Sequence, residues 1–158
     1  MVRPGLRGDV PRVALLGGTP RSGKGSAARR LAERLGYDTV CIDDLVAAVR
    51  AVTTVASHPK IHAMTEIDYR EYYIQNTAET LCRHALDACR AIWPAIESIA
   101  RARSCWGSPA VIEGWAILPD LFFGADLPDV EACWLVADEP TPDGPASLMS
   151  AGTTRALF

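Results

Sequence analysis

Apolar positions along this 158-residue chain fall into short runs and helical stripes. Residues 12–17 form an apolar run closed by Gly17 and Gly18, the pattern of a buried strand. The period then changes. Ala27, Leu31 and Leu35 recur four apart among Arg29, Arg30, Glu33 and Arg34, so residues 23–35 read as a helix that Gly36 stops. Residues 39–42 read as a second strand ending at Asp43 and Asp44, with a short helix over 44–52. Residues 53–65, containing Ser57-His58-Pro59, read as a loop. A long helical region covers 66–103, and Pro94 is expected to kink it or to start a second helix. Residues 109–114 and 130–136, rich in Val, Ile and Trp, supply the third and fourth strands. Strand, glycine loop and helix open an α/β fold, so the expectation is a three-layer α/β/α domain over 12–137 with a mostly parallel sheet of four strands. Residues 1–11 read as a leader, and 138–158 as an irregular or disordered tail without a period.

Composition narrows the class. A chain 49% hydrophobic and 22% charged is an ordinary globular mixture, long enough for one core. No apolar run approaches the roughly 18–20 residues of a membrane span. The run Val13-Ala14-Leu15-Leu16 is too short for a signal-peptide core, so no membrane partner is expected. Sixteen basic against nineteen acidic residues give a net charge of −3, which argues against an electrostatic nucleic-acid binder. The five cysteines (Cys41, Cys82, Cys89, Cys105, Cys133) are an odd number without a CxxC pair. They read as free buried thiols in a reducing, cytoplasmic setting.

The chemistry concentrates in the turn after the first strand. Gly17-Gly18-Thr19-Pro20-Arg21-Ser22-Gly23-Lys24-Gly25-Ser26 fits Gly-x4-Gly-Lys between a strand and a helix, the context a phosphate loop requires. Glycines let successive N–H groups turn inward as an anion nest, the helix N-terminus adds partial positive charge, and Lys24 adds a full one. Residues Gly18, Thr19, Pro20, Arg21, Ser22, Gly23, Lys24, Gly25 and Ser26 are therefore the candidate nucleotide-binding set. Arg21 leaves two readings open: a strained side chain where the loop wants a positive φ, or an extra cation over the phosphates.

The position after the lysine, usually Ser or Thr, is Gly25, and Ser26 follows. This Gly-Lys-Gly-Ser loop resembles that of the adenylate kinase group of P-loop nucleoside and nucleotide kinases, which reads Gly-x-Pro-Gly-x-Gly-Lys-Gly-Thr; Arg21 stands where that group has Gly. The resemblance implies a P-loop NTPase fold, ATP as phosphoryl donor, and Mg²⁺ held largely through water and the phosphates. It also implies that Lys24 stabilises the transferring phosphoryl group. Ser26 and Glu113 are the candidate metal-side residues.

Two further acids fall at strand ends, where ligands gather in parallel sheets. Asp43 or Asp44 could accept the proton of an acceptor hydroxyl, or simply cap the next helix. Glu113, closing the third strand, stands where phosphate-loop proteins keep a Walker-B acid, against the plainer reading of a lone glutamate at a strand end. The phrase Val-Ile-Glu-Gly-Trp-Ala-Ile-Leu-Pro (residues 111–119) resembles a segment of 2-phosphoglycerate kinase-like small-molecule kinases. Arg50, two helical turns beyond Asp43, is a candidate for an anionic group of the acceptor, against a plain solvated arginine. His58 and His62 read as surface histidines, since Pro59 argues against the helix that a metal pair four apart would need. Tyr69, Tyr72 and Tyr73 read as an aromatic packing face, with Tyr72 or Tyr73 a possible wall of an acceptor pocket. Trp93, Trp106 and Trp134 read as packing residues.

The resemblance covers residues 12–141. The kinases it points to carry lid arginines after the fourth strand, whereas only Arg155 follows here, so the chain reads as a truncated or diverged member. An uncovered fourth strand would be an open edge suited to self-association. The expected function is an ATP-dependent phosphotransferase acting on a small hydroxylated metabolite. Its alternative is a regulatory nucleotide-binding module without turnover.

Overall fold

The computed structural model describes residues 10–63, 68–137 and 154–157. The elements are β1 (Val13–Gly18), α1 (Lys24–Leu35), β2 (Asp38–Cys41), α2 (Ile42–Val52), α3 (Pro59–His62), α4 (Tyr69–Gln75), α5 (Ala78–Cys105), β3 (Ala110–Glu113), α6 (Pro119–Phe123), β4 (Val130–Ala137) and β5 (Thr154–Leu157). They form one sheet ordered β2-β3-β1-β4-β5. The first four strands run parallel, and β5 lies antiparallel on β4.

The central strand reads apolar on both faces, as a strand covered by helices must. Val13 and Leu15 join Ile42, Ile92, Trp93, Ile96, Ala110 and Ile112 in the larger core, which α2 and α5 cover. Leu16 packs the other way, with Val111, Leu135 and the α1 residues Ala28 and Ala32. Helices thus sit on both faces, and the α/β expectation holds. The buried stripe of α1 is centred on Ala28 and Ala32, one position from the expected Ala27–Leu31–Leu35 line, whose Ala27 and Leu31 pack at its margin.

The long helical region divides elsewhere than expected. α5 runs unbroken through Pro94, and the break falls at Asn76 and Thr77. Pro94 lies on the exposed side of the helix, as Arg90 does, where the hydrogen bond it forfeits costs least. Thr77 instead starts α5, its side chain accepting the Thr80 N–H at 3.2 Å. Asp68 caps α4 in the same way, through the N–H groups of Arg70 and Glu71. The expected start of this region, residue 66, lies outside the described residues.

Four smaller expectations are corrected. Within the supposed loop, Pro59 begins α3, because a proline at the first helical position forfeits an N–H that has no helical partner anyway. His62 is consequently 9% exposed, with Nε2 2.9 Å from Thr53 Oγ1, and is no surface residue; His58 is exposed beside Ser57. Trp106 lies past the buried stripe of α5 and is 82% exposed, whereas Trp93 is buried and Trp134 is half-buried, donating Nε1–H to the Ile117 carbonyl at 2.8 Å. The tail also departs from expectation, for residues 154–157 form β5 against 134–137 of β4. Backbone ladders make that pairing, which no side-chain period announces. The open edge expected of β4 is thereby confined, among the described residues, to 130–133. Residues 1–9, 138–153 and 158 lie outside the described residues, so the rest of the leader and tail expectations are outside them too.

Candidate functional site

The candidate loop leaves β1 at Gly18 and enters α1 at Lys24. Ser22 N–H donates to the Thr19 carbonyl at 3.2 Å, a tight turn that buries Ser22. Two residues in the loop take left-handed angles: Arg21 at φ 65 and Gly23 at φ 83. Gly23 is where the chain reverses into the helix, and glycine does this without a steric penalty. Arg21 holds a comparable φ with a side chain attached, so the first of its two readings, strain, applies whatever its guanidinium does.

The helix ladder begins with Ala27 N–H donating to the Gly23 carbonyl at 3.0 Å. The N–H groups of Lys24, Gly25 and Ser26 therefore stand ahead of the ladder at the positive end of α1. Lys24 turns back along the loop and donates Nζ–H to the Thr19 carbonyl at 3.1 Å, with two ammonium protons left over. Ser26 is exposed in the same first turn. Together these groups form a concentration of donors and positive charge with no acidic side chain in the first turn.

The acids come in from the neighbouring strands. Parallel register sets Leu16 of β1, Glu113 of β3 and Cys41 of β2 side by side. Glu113 is half-buried against the loop: a Cβ on Gly25 would meet its Oε1 at 3.6 Å. Gly25, Ala28, Arg29, Thr39, Val40, Cys41, Asp44 and Glu113 line one cleft of about 290 Å³. Asp43 and Asp44 do not close β2 as expected. The strand ends at Cys41, and both acids lie in the first turn of α2, where the helix dipole favours them. Adjacent residues on a helix project roughly 100° apart, and the two acids face different partners. Asp44 lines the cleft, while Asp43 Oδ1 accepts the Trp115 Nε1–H at 2.9 Å.

Burial pushes the Cys41 thiol above its ordinary value; the N–H groups of Asp44 and Asp43 pull it back, and the adjacent Glu113 carboxylate raises it further. Cys41 is therefore a neutral thiol wall of the cleft at neutral pH. Among the described residues no group of three or more His, Cys, Asp and Glu gathers as a metal site.

Other candidates lie elsewhere. Arg50 is half-buried and donates Nε–H to the Ile61 carbonyl at 2.9 Å, tying α2 to α3 instead of facing the cleft. Tyr72 is buried, its hydroxyl 2.8 Å from His84 Nδ1, and neither it nor Tyr73 lines the cleft. Sequence reasoning missed Arg29, Thr39, Val40 and Cys41. Arg29 was within reach, since it stands four residues after Gly25 and so on its face of the helix. The other three depend on β2 passing beside α1. No protein-family model matches the chain, and no curated protein matches it either.

Proposed function

We propose that the chain is a P-loop protein of the small-molecule kinase type, an ATP-dependent phosphotransferase acting on a small hydroxylated acceptor. One observation carries this reading: Gly25, next to Lys24 at the positive start of α1, lines the same cleft as the carboxylates Asp44 and Glu113. A loop of unladdered N–H groups with an ammonium suits a polyphosphate, and acids beside it suit the metal and the acceptor. Those acids favour turnover over a module that only binds nucleotide.

The donor sets fit ATP and Mg²⁺. The N–H groups of residues 24–26 and the Lys24 ammonium would hold phosphate oxygens. The Ser26 hydroxyl and the Glu113 carboxylate are hard oxygen donors, the type Mg²⁺ takes, with water and phosphate completing its shell. Mg²⁺, when bound, would neutralise phosphate charge. Lys24 would stabilise the charge on the transferring phosphoryl group. Asp44 would take the proton that the acceptor hydroxyl releases as its oxygen bonds to the γ-phosphorus and the bond to ADP breaks. Asp43, already bonded to Trp115, would position that helix turn and the Trp115 ring. The five cysteines are free, though Cys82 and Cys105 are exposed where buried thiols were expected, and free thiols suit a reducing, cytoplasmic setting. Among the described residues no helix is long and apolar enough to cross a membrane.

The reading is tested by following ADP release over a panel of small polyols, hydroxy acids and nucleosides. Acceptor-dependent turnover lost in Asp44→Asn supports it. No turnover across the panel, with ATP binding retained, would contradict it and favour the binding module.

A further inference from the structure

Arg29 is the one cation lining the cleft, and the catalytic reading above leaves it without a task. It sits in the second turn of α1, and helical side chains lean toward the N-terminus. Arg29 does so here: its Nε–H donates to the Gly25 carbonyl at 3.3 Å, which draws the guanidinium back to the level of the loop. Gly25 is also the residue against which Glu113 lies. The bond is long and engages one of the five guanidinium N–H groups. Among the described residues, no further hydrogen bond or ion pair engages the two terminal amines, although Asp44 and Glu113 line the same cleft. An arginine held by its Nε, with its outer edge open on a polar cleft, is set to receive two oxygens of one oxyanion.

We propose that Arg29 binds an oxyanion of the reacting pair in this cleft; the inference rests on the phosphoryl-transfer reading. The oxyanion is either the transferring phosphoryl group or an anionic group of the acceptor, the same planar-fork chemistry in both cases. For the first source, a cation beside the transferring group stabilises the charge spread over its equatorial oxygens. It would come from α1 itself, within one helical turn of the loop. For the second, Arg29 would make the enzyme choose hydroxy acids over neutral polyols.

Calorimetry and kinetics on wild type, Arg29→Gln and Arg29→Lys separate the cases. The probes are Mg²⁺–ADP alone, Mg²⁺–ADP with aluminium fluoride as a mimic of the transferring group, and glycerate against glycerol as acceptors. Arg29 is exposed, so all three proteins should fold alike, which circular dichroism checks. ADP affinity should agree within about twofold among them. A tenfold or larger loss of the fluoride complex in Arg29→Gln, partly restored in Arg29→Lys, assigns the phosphoryl group. An unchanged fluoride complex with a tenfold rise in KM for glycerate but not for glycerol assigns the acceptor. Equal ADP binding with neither change would overturn the Arg29 proposal alone. Absence of ADP binding by folded wild type would overturn the phosphate-loop reading and this inference together.

Discussion

Arg21, before α1, and Gly36, after it, both take a positive φ, and they put opposite demands on their side chains. Arg21 keeps φ 65 with a Cβ, whereas Gly36 takes φ 72 at the helix C-cap with nothing within 4 Å of where a Cβ would stand. The effects of substitution are therefore conformational. Arg21→Gly should raise stability by roughly 0.5–1 kcal/mol, relief of strain being partly offset by a freer unfolded chain, and Gly36→Ala should lower it by about 1 kcal/mol. Urea titration reads both, and the reverse order would exclude the strain. The acids divide as sharply. Asp44→Asn should lower kcat by roughly 10²–10⁴, as loss of a proton acceptor does. Asp43→Asn should instead perturb Trp115 fluorescence with a much smaller effect on kcat. Sequence alone put this pair at the end of β2, whereas both stand in the first turn of α2, and it could not separate them. Which carboxylate meets the indole depends on Trp115, 72 residues away.

At the scale of elements, α5 stabilises the larger face of the sheet. Cys89, Ile92, Trp93, Ile96 and Ala100 recur at helical spacing and are buried. Ile96 is fully buried, so Ile96→Ala should cost roughly 2–5 kcal/mol in denaturant unfolding. Burial pushes the Cys89 thiol up to about 11 from an ordinary value of 9.0. The folded state thus keeps its proton where the unfolded state has lost it. Stability from this source is intact below pH 9 and falls as pH rises from about 9 toward 11. Cys89→Ala should flatten that part of the stability–pH curve, and an unchanged slope would remove Cys89 as its cause. That this region is helical was legible in the sequence. The break before it was not, because a threonine cap is a weaker mark than a proline, and Pro94 faces solvent where its lost bond is tolerated. Pro59 misled in the opposite sense, starting the short helix it was expected to prevent.

Across the whole molecule, the strand order β2-β3-β1 brings distant residues into one cleft. It places the end of β3 beside the loop after β1 and the end of β2 beside β3. The loop and Glu113 were visible as local patterns, a glycine run before a helix and an acid closing an apolar run. Cys41, Thr39 and the outward edge of Arg29 were not, because their meeting is a property of the sheet and of no single segment. β5 was hidden for a related reason: a four-residue strand in a segment without periodicity declares itself only by pairing with β4. Phosphate binding therefore depends most on the loop, whose contribution to the cleft needs both the local turn and the sheet. Its direct test is titration calorimetry of ATP with Mg²⁺ into wild type and Lys24→Ala, with folding of both checked by thermal unfolding. Wild type should bind saturably, and the variant should lose at least tenfold in affinity, about 1.4 kcal/mol. No binding heat with any nucleoside triphosphate in a folded wild type, or equal affinity in the two proteins, would contradict it.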